Sequence, residues 1–142
     1  MDWKVVLKED LKRDEGLRLK AYRCTAGRLT IGFGHTKGVK AGDVTTEEQA
    51  SAWLDDDMKQ AIKDARKVCL CFDELNGPRK TVIANMAFNL GAVRLAGFKN
   101  TLACICAGDY GQAALNMLKS KWATQVGQRA KRLAERMSTG EW

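Results

Sequence analysis

Glu15-Gly16-Leu17-Arg18-Leu19-Lys20-Ala21-Tyr22-Arg23-Cys24-Thr25-Ala26-Gly27-Arg28-Leu29-Thr30-Ile31-Gly32-Phe33-Gly34-His35 is the stretch on which the fold turns. It opens on an acid followed by glycine and closes on the only histidine of the chain. Leu19 to Tyr22 and Leu29 to Phe33 each alternate apolar and polar residues, and Thr25-Ala26-Gly27 between them is a turn signal. That pattern predicts a β-hairpin. A hairpin entered beside an acid, with Cys24 and Thr30 on its strands, can place three polar groups around one cleft.

On either side the pattern is helical. Residues 2–14 predict an amphipathic helix, with Asp2 as its N-cap and Val5, Val6, Leu7 and Leu11 as its apolar stripe. Glu15 falls at the end of that helix. Residues 37–44 are a lysine- and glycine-rich connection, too short to link domains. Thr45-Thr46-Glu47-Glu48 then reads as a capping box, Thr45 with Glu48. Ala50, Trp53, Leu54, Met58, Ala61, Ile62, Ala65 and Val68 follow at helical spacing, which predicts about six turns, long enough to bridge two lobes. Asn76-Gly77-Pro78 starts a helix over 78–90 that Gly91 stops. It is apolar nearly all round and so belongs at the centre of a helical lobe. Asn100 is the expected cap of a helix over 101–107, and Asp109 of one over 110–120. A last helix, about 128–137, carries Arg129, Lys131, Arg132 and Arg136. The expected class is α+β, a single domain over 1–142 with two lobes around a cleft.

A chain of 142 residues is long enough to bury a core. Its net charge of +7, from 24 Lys and Arg against 17 Asp and Glu, points to an anionic partner: nucleic acid, a membrane surface or an acidic polysaccharide. No run approaches the ~20 apolar residues of a membrane span, so stable membrane insertion is not expected. The N-terminus lacks the apolar core of a signal peptide, which implies a protein made and held in a cytoplasm. Five cysteines without a secretory signal predict free thiols. Cys69-Leu70-Cys71 and Cys104-Ile105-Cys106 invite a zinc reading. Cysteines at i and i+2 on a helix point to different faces, however, so no metal is expected there.

The spacing Glu15, eight residues, Cys24, five residues, Thr30 carries a family resemblance. The run E-G-L-R-L-K-A-Y-R-C-T-x-G-x-x-T-I-G-F-G-H resembles the active-site hairpin of the T-even bacteriophage lysozymes and related phage endolysins, glycoside hydrolase family 24. The likeness continues in order through Arg79 to Gly91 (with N-M-A-F-N-L-G), Ala96 to Thr101, Lys119-Ser120-Lys121-Trp122 and Gln128 to Arg132. It is weakest over 37–44, where this chain is shorter.

The resemblance implies an N-acetylmuramidase that cuts the β-1,4 bond between N-acetylmuramic acid and N-acetylglucosamine in peptidoglycan. It implies a monomer without a cofactor that waits in the host cytoplasm and reaches the wall at lysis, with no nucleic-acid partner. Glycosidic cleavage needs a general acid for the leaving oxygen and a group opposite that activates or replaces water. By the resemblance, Glu15 is the acid, Cys24 and Thr30 activate and position water, and Thr36, Phe88, Thr101 and Asn116 contact the sugar chain. It also sets Arg129 against Glu15, and pairs His35 with Asp56 on the long helix as a strut.

Cys24 stands where better-known members carry Asp. It can be a thiolate base, a thiolate nucleophile or a neutral thiol that shapes the water site. Two rival functions follow from the sequence. One is a lytic transglycosylase, which needs one glutamate and forms a 1,6-anhydro product without water. The other is a cationic, non-enzymatic protein that binds membranes or nucleic acid through the 128–137 helix.

Overall fold

A computed structural model describes all 142 residues. Helix α1 (Trp3–Glu15) starts under Asp2, whose carboxylate accepts a hydrogen bond from the Lys4 amide at 2.9 Å. It buries Leu7 and Leu11 and ends at Gly16. Strands β1 (Arg18–Arg23) and β2 (Leu29–Gly32) form the expected antiparallel hairpin, with Tyr22 opposite Thr30 and an irregularity between Arg18 and Tyr22. The connection after it is not idle. The Ala21 amide donates to Asp43 and the Thr45 amide to Leu19, so this segment covers the free edge of β1.

Helix α2 (Glu47–Val68) has 22 residues and is therefore about 33 Å long. Ala50, Leu54, Met58, Ala61, Ile62 and Ala65 form its buried stripe. Its cap differs from the expected one. Thr46, not Thr45, accepts from the Gln49 amide at 3.2 Å. Thr45-x-x-Glu48 and Thr46-x-x-Gln49 both satisfy the capping pattern, and the hydrogen bond from Thr45 to the hairpin settles the choice.

Helix α3 (Gly77–Ala96) carries Pro78 in its first turn and is capped by Asn76. Every residue from Thr81 to Ala87 is buried, which makes it the central helix. Gly91, at φ 78°, breaks its regularity where the sequence predicts a stop, and a short helical segment then runs on to Ala96. Helices α4 (Lys99–Cys106), α5 (Tyr110–Lys119), α6 (Lys121–Val126) and α7 (Gln128–Thr139) complete the helical lobe. Asp109 caps α5 as expected. Asn100 does not cap α4: the Leu102 amide already donates to Phe98, so the helix begins earlier and Asn100 lies within its first turn. No single helix is long and apolar enough to cross a membrane.

The expectation of free thiols fails for two of the five cysteines. Cys71 and Cys106 form a disulfide, and Cys24, Cys69 and Cys104 remain free. The bond joins the end of α4 to the connection after α2, across 35 residues of sequence. On loop-closure grounds a cross-link of that span contributes about 3–4 kcal/mol.

The basic face of α7 is turned inward onto α1. Arg129 meets Glu15 at 2.8 Å, Arg132 meets Asp14 at 2.8 Å, and Arg136 meets Asp10 at 2.5 Å. Acids at 10, 14 and 15 and arginines at 129, 132 and 136 make a ladder between the first helix and the last. Arg79 secures the far end of α7, donating to the carbonyls of Met137 and Ser138.

Candidate active site

Glu15 is the last residue of α1, so its side chain emerges where the chain turns toward the hairpin. Its side chain is 19% exposed, and its Oε2 accepts from Arg129 Nη1. Behind the arginine stands Asn85, fully buried on α3. Its carbonyl accepts from Arg129 Nε at 2.9 Å and its amide donates to Asp14 at 3.2 Å. Asp14 has no exposed side-chain surface. Burial opposes its ionisation. The hydrogen bonds from Arg132 and Asn85 and the charges of Arg129 and Arg132 outweigh that, and its pKa lies below the usual carboxylate value. Asn85 and Asp14 were not singled out by sequence reasoning, because an asparagine in an apolar helix and an acid beside another acid look ordinary until the fold joins them.

The other side of the carboxyl faces Gly34. A Cβ at that position would stand 2.5 Å from Glu15 Oε1 and 3.0 Å from its carboxyl carbon. Gly34 also has φ +75°, so glycine is required twice over. It lies in a tight turn in which the Ile31 and His35 backbones exchange both hydrogen bonds at 2.9 Å. That turn begins one residue after Thr30, carries Gly34 against Glu15, and ends on His35. The turn thus sets Gly34 against Glu15 within five residues of Thr30.

His35 is buried and anchors the turn to α2. Its ring stacks on Trp53 at 4.6 Å between centroids, and Nδ1 lies 2.7 Å from Asp57 Oδ2. The partner is thus Asp57, not Asp56 as the resemblance implies. Asp55, Asp56 and Asp57 point about 100° apart around the helix. Asp55 takes Lys8 at 2.8 Å, Asp57 faces the histidine, and Asp56 is exposed.

Cys24 follows β1 at the hairpin end and is half-buried. Its amide donates to Arg28 and its carbonyl accepts from Gly27. Slight burial opposes ionisation of the thiol. The amides of Arg28 and Ala26, the Thr30 hydroxyl and the Arg28 charge overcome it, and the thiol pKa lies below its ordinary value. Thr30 is buried, and its hydroxyl also donates to the Arg28 carbonyl at 2.9 Å. One hydroxyl proton serves one acceptor at a time, so Thr30 can switch between Cys24 sulfur and backbone oxygen.

The four expected sugar contacts fall into two groups. Thr101 on α4 and Asn116 on α5 line one cavity of about 540 Å³ in the helical lobe, with Trp122 at its wall and Arg94, Lys99 and Lys119 around it. Thr36 is exposed just past the His35 turn, and Phe88 is half-buried on α3. Neither lines that cavity, and neither does Glu15. The Trp122 indole at the cavity wall donates to Asn89, next to Phe88, at 2.7 Å.

An acid with Oε2 engaged by an arginine is the kind of group that glycoside hydrolysis requires. Comparison with known proteins agrees. Residues 12–139 match the family model described as phage lysozyme. An endolysin of Acyrthosiphon pisum secondary endosymbiont phage 1 is 38% identical over 84% of this chain and 80% of its own length. A probable T4-type lysozyme of Dictyostelium discoideum is 29% identical over 94% of each chain. The pre-baseplate central spike protein Gp5 of Enterobacteria phage T4 is 34% identical over 93% of this chain but only 27% of its own length. The chain belongs to the phage lysozyme family. It is an enzyme, a lysozyme that hydrolyses peptidoglycan.

Proposed function

We propose that Glu15 is the general acid for cleavage of the N-acetylmuramic acid to N-acetylglucosamine bond, with Cys24 and Thr30 activating and positioning the attacking water. The observation that carries this reading is the division of labour within one carboxyl group. Arg129 engages Oε2, while the missing Cβ of Gly34 leaves room at Oε1 for a proton and the glycosidic oxygen. The acid protonates the leaving oxygen as the bond to the anomeric carbon breaks. Water attacks that carbon from the side where Cys24 and Thr30 lie, and the thiolate takes its proton. A base of this kind gives inversion, and the hydrogen bonds from the Thr30 hydroxyl and the turn amides favour ionisation of the thiol.

Thr36, Phe88, Thr101 and Asn116 bind the glycan in this reading, Thr101 and Asn116 from the basic cavity. Arg94, Lys99 and Lys119 there suit anionic groups of the cell envelope. The protein acts as a monomer and lyses the phage's host. The membrane or nucleic-acid reading of the last helix loses its main support, since Arg129, Arg132 and Arg136 are committed to Glu15, Asp14 and Asp10.

Mass spectrometry of digested peptidoglycan tests the proposal. Hydrolysis leaves reducing muramic acid ends, heavier by one water than the 1,6-anhydro ends of a transglycosylase. Both must vanish with Glu15→Gln. Anhydro products, or a retained configuration in the first-formed anomer by NMR, would overturn the water-base role of Cys24.

A further inference from the structure

Cys69, Cys71 and Cys106 take no part in the glycosidase site, yet their three sulfurs all lie within 4.8 Å of one another. Neither C-x-C pair alone would achieve this. Cys69 lies just past the last turn of α2, as its C-cap, and Cys71 precedes the short 3-10 turn Phe72–Glu74. The two are therefore not on one helix, and the argument from opposite helical faces does not apply to them. Their sulfurs stand 3.8 Å apart. Cys106 arrives from the end of α4 on the solvent side, so the cluster grades from buried through half-buried to exposed.

Two chemistries compete for such a triangle. In thiol–disulfide exchange the attacking sulfur approaches along the S–S axis. In-line attack on Cys71, across an ordinary bond of about 2.05 Å, would hold Cys69 and Cys106 farther apart than 4.8 Å, and Cys69 instead sits to one side. Metal ligation needs the side-on triangle. Zinc–sulfur bonds of about 2.3 Å at tetrahedral angles separate sulfurs by about 3.8 Å, the distance Cys69 and Cys71 already keep.

We propose that Cys69, Cys71 and Cys106 form a disulfide-or-metal site that binds one thiophilic divalent cation of the zinc class when the Cys71–Cys106 bond is reduced. A dithiol reductant supplies two electrons and two protons, opening the bond to two thiols and itself closing to a disulfide. The cation then replaces the three thiol protons, which pass to solvent, and forms three metal–sulfur bonds with water in the fourth position. The oxidised and metal-bound forms exclude each other, because the same Cys71 and Cys106 sulfurs serve both. Each ties the end of α4 to the connection after α2, so the cross-link survives a change of redox environment.

Titration of the full chain with Co(II) as a coloured probe, with Zn(II) in competition, tests the proposal. The dithiol-reduced protein should bind one Co(II) per chain with thiolate-to-metal charge-transfer absorption, and Zn(II) should bleach it. The oxidised protein should show none. Cys69→Ser should weaken binding at least tenfold and remove about a third of the charge-transfer intensity, whereas Cys104→Ser should match the unsubstituted chain. Equal spectra for Cys69→Ser and the unsubstituted chain, or no charge-transfer band on reduction, would overturn it. A second measurement does not depend on any variant. Zn(II) should slow re-formation of the Cys71–Cys106 bond at least tenfold, followed by alkylation of free thiols and mass spectrometry, and an unchanged rate would refute the shared-sulfur site.

Discussion

Glu15 takes its place from residues far along the chain, whereas Cys24 takes its place from its immediate neighbours. The arginine on Glu15 lies 114 positions away, and it is held by Asn85 on α3 and by Asp14, the neighbour of Glu15 on α1. Cys24 is set by Gly27, Arg28 and Thr30, all within six residues of it. One half of the site is thus a property of packed helices and the other a property of a hairpin turn. Damage to the helical core should reach the acid first, and damage to the turn should reach only the thiol.

The comparison breaks if the halves fail to separate. The largest effect is expected for Glu15→Gln, which removes the acid and should lower peptidoglycan clearing by about 10²–10⁴-fold. The alkylation rate of Cys24 should not change, and a large change would mean the halves are coupled. Asp14→Asn strikes the long-range half from behind: Arg132 loses its charge partner, while Arg129 keeps Glu15. A loss of about 1.5–3 kcal/mol in chemical unfolding is expected, as for lost hydrogen bonds to a charged group.

The sign of its pH dependence follows from the depressed pKa of Asp14. Its stabilisation is full above the unfolded carboxyl value near 3.9 and is lost as pH falls through the lower folded value. Acid unfolding curves should therefore converge for the parent chain and Asp14→Asn below that window. Parallel curves would remove Asp14 from the account.

Gly34→Ala pushes on the acid from the turn side. A displacement approaching 1 Å at the carboxyl should cost about 10²-fold in turnover, with the helical circular dichroism preserved. His35→Asn releases the turn from Asp57 and Trp53 and should cost about 1.5–3 kcal/mol of stability, read from thermal or urea unfolding. The smallest effect concerns the thiol itself. Iodoacetamide should titrate Cys24 with a midpoint below that of an ordinary cysteine thiol, and Arg28→Ala should move it up. An unmoved midpoint would show that the Arg28 charge does not tune the sulfur and would leave the tuning to the turn amides and Thr30.

The pattern of what the sequence revealed follows the same division. The hairpin, the length of α2, the central helix and the break at Gly91 are all written in local periodicity and turn residues. The spacing of Glu15, Cys24 and Thr30 carried the resemblance to the family to which the chain belongs. Choices among equivalent neighbours were not legible. Thr45 and Thr46 satisfy the same capping pattern, and Asp56 and Asp57 differ only by a rotation about α2, so tertiary contacts decide both. The Cys71–Cys106 bond was unreadable because five cysteines permit many pairings and nothing local brings α4 to the end of α2. Asn85 and the inward turn of the α7 arginines depend on how three helices pack together.

The ladder between α1 and α7 also sets an order of events. A chain that leaves the ribosome N-terminus first presents Glu15 long before Arg129 exists. Contacts across more than a hundred residues are among the slowest to close. The acid is therefore seated late, when the last helix docks, and the half-made enzyme holds its hairpin without a working cleft. In the finished protein α7 buries Ala130, Leu133, Ala134 and Met137 in the common core. On warming, wall-clearing activity is therefore expected to fall together with helicity, because the seat of the acid and the core melt as one.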